Sequence, residues 1–440
     1  MSRKELSLND LGDKFLLNSM LYLPLNELCV MKGVCQKFRI LANKAFKRRS
    51  GGQIRCDNLI ENFQQIAHIL RCFGSTIKGV TIDGSFVWDL NTSLLTLLNE
   101  HCTKLTKLRL VCLHFEKADI NIMKTLIQRL ESMEMFYCTI ATARGINYNV
   151  FLKEAHFLKE FTFIGQEQVI DLKCLNNRWP YMEKLQIISA HLDEEEILNQ
   201  FLRKNQTVKY FCYTPNILHP IKRSWCPWTK MQTIDFLSDL VELSIELNKT
   251  TKYQPIFKDL IKLQRIVINC QAYNKPIDEL VEILAKKKSL NVLGLWNLEF
   301  DDISTLPKLT NIVTLELREI KPKVDQKTLS AALKTQWNTV KNLYLDYTTV
   351  RDVDDLEFFV VKGTQLENLY LCNVKGLFIM PDHEQYDTWC TKRRKHLNIF
   401  IDPFYLMKQQ SYFGKNKKIQ FKTFKEPIGQ YVNVICGANL

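Results

Sequence analysis

A short apolar pattern, apolar-x-x-apolar-x-apolar, recurs twelve times between residues 77 and 371 and constrains this chain more than any other feature of its sequence. The matches are Ile77/Val80/Ile82, Leu105/Leu108/Leu110, Leu130/Met133/Met135, Leu158/Phe161/Phe163, Met182/Leu185/Ile187, Val208/Phe211/Tyr213, Leu240/Leu243/Ile245, Leu263/Ile266/Ile268, Leu290/Leu293/Leu295, Ile312/Leu315/Leu317, Val340/Leu343/Leu345 and Leu366/Leu369/Leu371. Their first residues lie about 26 positions apart on average, a period typical of stacked repeats. Chance could supply two or three such matches, but not twelve at this spacing.

Each match predicts a short strand, because its second half alternates with period two and so turns one face inward. Helical patterns lie between the matches, as at residues 277–287, where Ile277, Leu280, Val281 and Leu284 share one side. One strand and one helix cannot bury their apolar faces alone, so the units must stack. Twelve parallel strands spaced by about 4.8 Å would form a concave face of roughly 50–60 Å, which suits a protein ligand.

These units resemble the leucine-rich-repeat family, in particular its cysteine-containing subclass, as in HCTKLTKLRLVCLHF at residues 101–115. The resemblance implies an α/β solenoid with a curved parallel sheet and outer helices. It also implies that an Asn or Cys just after each strand bonds neighbouring backbone. The candidates are Cys112, Cys138, Asn216, Asn248, Cys270, Asn297 and Asn373. The long interval before Leu240 predicts a loop insertion near residues 220–228.

Residues 11–49 predict a small helical module: a short apolar helix, a break at Leu23-Pro24 and one longer amphipathic helix. The apolar stripe of that longer helix consists of Leu28, Met31, Val34, Cys35, Phe38, Leu41, Ala42 and Ala45. A module of about 40 residues buries too little surface to be stable alone without disulfides or a metal. We therefore expect it to lean on a partner.

The segments LLNSMLYLP and VCQKFRILA of this module resemble the F-box, the motif that docks on the Skp-type adaptor of cullin-based (SCF) ubiquitin ligases. The resemblance implies an adaptor-binding face. Its residues would be Leu16, Met20, Leu23, Pro24, Leu28, Val34, Cys35, Phe38 and Leu41.

The two resemblances together imply a non-catalytic substrate-recognition subunit of such a ligase. Its partners would be the adaptor, the cullin scaffold and a protein substrate marked for ubiquitin-dependent degradation. Outward strand positions of the late repeats are rich in the side chains that dominate protein interfaces. The substrate-binding candidates are Trp296, Glu316, Arg318, Tyr344, Asp346 and Tyr370.

The expected domains are the F-box-like module at residues 8–49, a linker and capping helix at 50–76, the solenoid at 77–380, and a C-terminal cap with a basic tail at 381–440. The capping helix is predicted from the spacing of Leu59, Phe63, Ile66 and Leu70.

Catalytic residues, cofactors and metals are not expected. The sequence carries no phosphate-binding glycine loop, no His-Glu-x-x-His and no Gly-x-Ser-x-Gly. His101, Cys102, Cys112 and His114 do not match the spacing of a common structural zinc site. The 14 cysteines include no Cys-x-x-Cys pair, and no apolar run is long enough to span a membrane, so we expect a cytoplasmic or nuclear protein with reduced thiols.

The net charge of +13 arises partly from basic clusters, which we interpret as solvated surface because no aromatic-rich RNA-binding signature accompanies them. The clusters lie at residues 47–49, 286–288, 392–395 and 408–425. One alternative is a non-degradative interaction scaffold, supported by Leu11-Gly12 standing where the F-box family prefers Leu-Pro. A basic RNA- or membrane-associated repeat protein is a less favoured alternative. It would use the basic clusters for binding, and nucleic acid is not an expected partner.

Overall fold

The structure is a computed structural model, and it describes residues 11–56, 59–84, 91–140, 146–192, 196–214, 238–248, 257, 260–272, 278–297, 306–318, 333, 336–346, 353–372, 381–401 and 418–423. The chain divides into two compact units, Met1–Thr207 and Val208–Leu440.

The first unit contains eight described helices and nine described strands. Its helices are α1 (Asp13–Met20), α2 (Leu25–Val34), α3 (Gln36–Ser50), α4 (Leu59–Phe73), α5 (Asn91–His101), α6 (Lys117–Ile127), α7 (Asn149–Leu152) and α8 (Glu196–Lys204). Its strands are β1 (Gln53–Cys56), β2 (Gly79–Asp83), β3 (Lys107–Val111), β4 (His114–Phe115), β5 (Ser132–Phe136), β6 (Thr139–Ile140), β7 (Ile146–Asn147), β8 (Glu160–Asp171) and β9 (Lys184–Leu192). Short 3-10 turns lie at Gly74–Thr76 and Lys173–Asn176.

The second unit contributes mostly strands. They are β10 (Tyr210–Thr214), β11 (Glu242–Asn248), β12 (Arg265–Ala272), β13 (Val292–Trp296), β14 (Thr314–Arg318), β15 (Asn342–Asp346), β16 (Asn368–Cys372), β17 (Leu397–Ile401) and β18 (Ile419–Thr423). Its helices in the described ranges are α9 (Asp278–Ala285), α10 (Val353–Lys362) and α11 (His383–Lys392), with 3-10 turns at Leu306–Lys308 and Gln336–Asn338.

Within each unit the strands pair in parallel and in chain order. In the first unit the order is β1-β2-β3-β5-β8-β9, with β7 beside β8 and a separate β4-β6 pair. In the second unit it runs from β10 to β18. The apolar positions stay in register: Leu293 opposes Leu315, which opposes Leu343.

Every one of the twelve predicted matches coincides with a strand, and every side chain in them is at most 3% exposed. The predicted helix at residues 277–287 is confirmed as α9, with Leu280, Val281 and Leu284 buried. The chain therefore has the α/β leucine-rich-repeat fold. The sheet also includes β1 before the first match and β17 and β18 after the last.

The helix predicted from Leu59, Phe63, Ile66 and Leu70 is present as α4, which buries Ile66 and Leu70 and packs on α2 and α5. Phe73 at its end stacks on Phe46 of α3, with ring centroids 4.5 Å apart. This stack joins the helical module to the first repeats.

The predicted single long helix of the module was wrong, because the structure has two helices, α2 and α3. Cys35 between them is extended (φ −161°, ψ 173°), and its Sγ accepts a hydrogen bond from the Phe38 N–H at 3.5 Å. The side chain thus caps α3, and the break moves Val34 out of the apolar stripe. Val34 is exposed.

The resemblance implied that an Asn or Cys just after each strand bonds neighbouring backbone, and Cys138 does so, whereas Asn297 bonds a neighbouring side chain. The buried Cys138 Sγ donates to the Leu110 carbonyl at 3.5 Å. Asn297 Nδ2 donates to Asn269 Oδ1 at 2.8 Å. Cys112 and Asn297 both have a φ of +54°, so the chain leaves these strands through a left-handed residue. Asn216, Asn373, the side chain of Asn248 and the predicted loop at residues 220–228 lie outside the described residues.

Basic side chains cap helices of the preceding repeat, which corrects the interpretation of residues 392–395 as uniformly solvated. Arg393 is buried and donates to the carbonyls of Val360, Gly363 (3.0 Å) and Leu366 (2.7 Å) at the end of α10. Burial lowers the pKa of its guanidinium to about 10. Arg129 similarly donates to Asn99 at the end of α5.

Replacing Arg393 by Met should lower the free energy of unfolding by roughly 2–4 kcal/mol, since it leaves three buried carbonyls without their charged donor. Arg394→Met is the matched control, because Arg394 is exposed, and it should change stability by less than about 0.5 kcal/mol. Urea denaturation followed by circular dichroism measures both. Equal effects of the two variants would contradict the capping role.

Candidate functional site

The interior of the helical module takes up more than half of the predicted adaptor-binding residues. α1 and α2 both pack on α3. The buried members of the predicted set are Leu16, Met20, Leu28, Phe38 and Leu41, whereas Leu23 and Cys35 are half-buried and Pro24 and Val34 are exposed. The first five cannot touch a partner while the helices pack, because they are the side chains through which the helices pack.

A different group of apolar side chains faces solvent on this module, and we call it the exposed apolar set. Its members are Phe15, Tyr22, Val30, Val34 and Ile40, which are between 49% and 88% exposed. Val30 and Val34 lie one turn apart on α2 and so share a side of that helix. Five large apolar side chains therefore remain exposed within residues 15–40.

Two basic residues of α3 fix the elements that carry this set. Lys37 Nζ donates to the Leu11 carbonyl at 2.9 Å and lies 3.3 Å from the Asp13 carboxylate at the start of α1. Arg49 Nη1 donates to the Leu23 carbonyl at 2.5 Å in the turn between α1 and α2. The turn that presents Tyr22 is therefore held in place from α3.

The second predicted site lies on the outward side of the second unit's strands. Strand register aligns one outward residue from each strand in a row. This row comprises Val267, Gly294, Glu316, Tyr344, Tyr370 and Phe400. Because neighbouring parallel strands are about 4.8 Å apart, successive members of the row are within contact distance.

Three aromatic rings of this row form a stack, which we call the aromatic ladder. The Tyr344 and Tyr370 ring centroids are 4.1 Å apart with planes 3° from parallel, and those of Tyr370 and Phe400 are 4.5 Å apart at 8°. Tyr344 is buried, whereas Tyr370 and Phe400 are half-buried. Burial, with smaller contributions from Tyr370 and Glu316, raises the pKa of the Tyr344 hydroxyl, which stays neutral.

An ion pair lies beside the ladder. Arg265 Nη2 of β12 is 2.8 Å from Glu316 Oε1 of β14, and Glu316 is 1% exposed. The strand between them, β13, carries Gly294 in the row position of Glu316. A Cβ on Gly294 would lie 3.1 Å from both Cγ atoms of Val267, so glycine leaves this space open.

Trp296 and Arg318 occupy the next outward row. The Arg318 guanidinium carbon lies 5.2 Å from the centroid of the Trp296 ring, a cation–π geometry, and Trp296 packs on Val267. Asp346 lies at the following register position in β15, but its side chain is outside the described residues.

The structure thus brings five of the six predicted substrate-binding side chains onto one outward surface, where Trp296, Glu316 and Tyr344 are covered by neighbours and Arg318 and Tyr370 are half-buried. Sequence reasoning missed Phe400 and Arg265. Phe400 follows the same outward phase as Tyr370, so continuing the repeat pattern into residues 397–401 could have found it.

Polar side chains form a second ladder on the same strands. Asn342 Nδ2 donates to Thr314 Oγ1 at 3.1 Å, Asn368 Nδ2 to Asn342 Oδ1 at 2.8 Å, and Asn398 Nδ2 to Asn368 Oδ1 at 2.9 Å. These bonds hold β14 to β17 in one register beside the aromatic ladder.

The outward side of the first unit also pairs its own polar groups. Arg109 Nε lies 3.6 Å from a Glu134 carboxylate oxygen, and its guanidinium carbon lies 4.5 Å from the Phe136 ring centroid. Thr162 Oγ1 donates to Gln186 Oε1 at 3.1 Å. These strands offer fewer aromatic side chains than the ladder does.

Within the described ranges, a single group of three potential metal ligands occurs: Cys29, His68 and Cys72, with ligand atoms all within 4.8 Å of one another. His101, Cys102, Cys112 and His114 do not come together in this way. Burial, with a smaller contribution from Cys72, raises the pKa of the Cys29 thiol to about 12. None of the described helices is both long and apolar enough to cross a membrane.

No protein-family model and no curated protein matches this sequence. Similar solved structures include the following three. An internalin from Listeria monocytogenes is 14% identical, with 81% of this chain and 90% of that chain covered and a TM-score of 0.40. A leucine-rich-repeat protein from Leptospira interrogans is 13% identical, with 84% and 81% covered and a TM-score of 0.39. Yeast Rad7, in a complex of Rad7 and Elc1, is 13% identical, with 93% of both chains covered and a TM-score of 0.41. These TM-scores are too low to support a functional argument.

Removing one partner of the Arg265–Glu316 pair should destabilise the fold. Arg265→Met leaves a carboxylate buried without its cation and should lower the free energy of unfolding by about 3–5 kcal/mol, whereas the double variant Arg265→Met/Glu316→Leu should regain most of that loss. Urea denaturation of the single and double variants gives the coupling.

The exposed pair of Lys262 and Asp239, 2.5 Å apart, supplies the matched control. Lys262→Met should change stability by less than about 1 kcal/mol. If the Arg265 and Glu316 substitutions have purely additive effects, the two side chains do not depend on each other.

Proposed function

We propose that this chain is a non-catalytic substrate-recognition subunit of a cullin-based SCF ubiquitin ligase. In this proposal the F-box-like module binds the Skp-type adaptor, and the repeats act as a protein-interaction scaffold for a substrate. The observation that carries the proposal is the exposed apolar set, since it lies on the helical module whose sequence resembles an F-box.

The energetics of the exposed apolar set favour a protein partner. Full burial of a large apolar side chain contributes roughly 1.5–3 kcal/mol, so the five members of the set could supply the driving force for docking. Tyr22, with 88% of its surface exposed, is of the residue type most often found at the energetic centre of interfaces. Val34 and Pro24 belong to the adaptor-binding residues implied by the resemblance, and both are exposed.

In this proposal the buried members of the implied adaptor-binding set contribute indirectly, by packing the three helices together. Leu28, Phe38 and Leu41 hold α1–α3 together, and this packing positions Tyr22, Val30 and Val34. Replacing an interior residue such as Phe38 would therefore disturb binding by unfolding the module and would not identify the contact surface.

Substrate binding is assigned to the aromatic ladder and its neighbours. Tyr370, Phe400 and Arg318 retain solvent-facing surface, and aromatic and Arg side chains are enriched in interface hot spots. Holding a substrate there would raise its effective concentration near the ligase's ubiquitin-loaded component, so the chain itself needs no catalytic residues.

The remaining segments fit this division of roles. We assign residues 8–49 to adaptor docking, 50–76 to the linker and capping helix, 77–380 to the repeats and 381–440 to the C-terminal cap and basic tail. A receptor of this kind would work in the cytoplasm, the nucleus or both.

Binding of the purified full-length chain to a recombinant Skp-type adaptor tests the proposal. The double variant Tyr22→Ala/Val34→Asp should raise the Kd for the adaptor at least about 100-fold, because it removes an exposed aromatic side chain and places a charge in the interface. Biolayer interferometry with immobilised adaptor gives the Kd, and circular dichroism checks that the variant is folded.

Ile261→Asp is the control, because Ile261 is a 67% exposed apolar residue of the second unit. It should bind the adaptor as the wild type does. A folded wild-type chain that shows no adaptor binding would refute the ligase assignment and favour the non-degradative scaffold, and equal binding by the Tyr22/Val34 variant would refute the proposed surface.

A further inference from the structure

A histidine and two cysteines, side chains of types that bind metals, meet where the helical module contacts the capping helix. Cys29 lies on α2, and His68 and Cys72 lie one turn apart on α4, so they share a side of that helix. α2 packs on α4. The Sγ atoms of both cysteines and a ring nitrogen of His68 lie within 4.8 Å of one another, and the distance from His68 Nε2 to Cys72 Sγ is 3.8 Å.

This spacing fits a tetrahedral zinc site. Zn–S bonds of about 2.3 Å and Zn–N bonds of about 2.1 Å place neighbouring ligand atoms roughly 3.5–3.8 Å apart. The His68–Cys72 distance already falls at that value, and Cys29 Sγ lies within 4.8 Å of both other ligand atoms. We propose that Cys29, His68 and Cys72 bind one Zn²⁺ ion, with a solvent molecule as fourth ligand.

The surroundings suit a soft divalent cation. Cys29 is buried, Cys72 is half-buried and His68 is exposed, so the site has a dry side and an entry path. Two thiolates would neutralise the charge of the ion, so that the ion and its ligands would carry no net charge. Thiolate and imidazole ligands favour zinc over the oxygen-preferring Mg²⁺ and Ca²⁺.

Lys32 adds a positive charge on the same side of α2. Its ammonium donates to the Cys72 carbonyl and lies 5.0 Å from the Phe73 ring centroid. These contacts anchor the C-terminal end of α4 to α2 and fix the backbone that carries Cys72. The site is thus assembled by contacts that do not need the ion.

Zinc bound here would cross-link the module to the start of the repeats. A helical module of about 40 residues is marginal alone, and a structural metal is one of the usual means of stabilising so small a unit. The inference is independent of the proposed function, since the site would stabilise the module whatever partner binds it. The sequence did not predict the site, because its ligands come from separate helices and lack a familiar spacing.

The test uses the purified, reduced full-length chain, loaded with Zn²⁺ and freed of excess by gel filtration. Inductively coupled plasma mass spectrometry should find about one zinc per wild-type chain. His68→Ala and Cys72→Ser should each bind zinc at least about tenfold more weakly, since each removes a direct ligand and loss of even an outer-shell partner typically costs about 10- to 100-fold in affinity. Added Zn²⁺ should raise the Tm of the wild type more than that of His68→Ala at the same zinc concentration.

His156→Ala and Cys112→Ser are the matched controls, because both residues are exposed and lie outside the cluster. They should bind zinc as the wild type does. His68 is also exposed, so His68→Ala is expected to fold and tests the site even if Cys29→Ser does not. A wild-type chain without zinc, or His68→Ala and Cys72→Ser variants that hold as much zinc as the wild type, would overturn the proposal.

Discussion

The structure depends on burying three inward side chains from each repeat against the repeats on either side. One strand presents only a narrow apolar edge, so the roughly 1.5–3 kcal/mol available from each buried side chain is realised only when neighbours are in place. Parallel pairing in chain order follows within each unit, because a register slip of one residue would turn the apolar set outward. Arg393 adds to this coupling between neighbours, because it donates hydrogen bonds to carbonyls at the end of α10 in the preceding repeat.

The register that stacks the interior also stacks the outward side chains. Tyr344, Tyr370 and Phe400 form a ladder for the same reason that Leu343, Leu369 and Ile399 form a core. Much of the outward chemistry is therefore used within the fold, and a ligand would meet the half-buried members rather than the whole set. On the helical module the division is similar: interior residues pack its helices together, and the exposed apolar set remains accessible to solvent.

The repeats could be predicted from the sequence because period and burial are properties of local pattern, and all twelve matches proved to be strands. Contacts between distant residues could not. Arg265 and Glu316 are 51 positions apart, and their ion pair crosses the strand between them at Gly294. The break at Cys35 was missed because cysteine is an uncommon helix cap, and the Cys29–His68–Cys72 group was missed because two helices must pack before it exists.

The central claim, that each repeat is stabilised by its immediate neighbours, is tested most directly by hydrogen–deuterium exchange on a Leu315→Ala variant. This change in β14 removes a buried side chain at a cost of about 2–5 kcal/mol. We expect amide exchange to accelerate most in β13, β14 and β15 and progressively less toward β10. Acceleration confined to β14, or equal at all strands of the second unit, would contradict nearest-neighbour stabilisation.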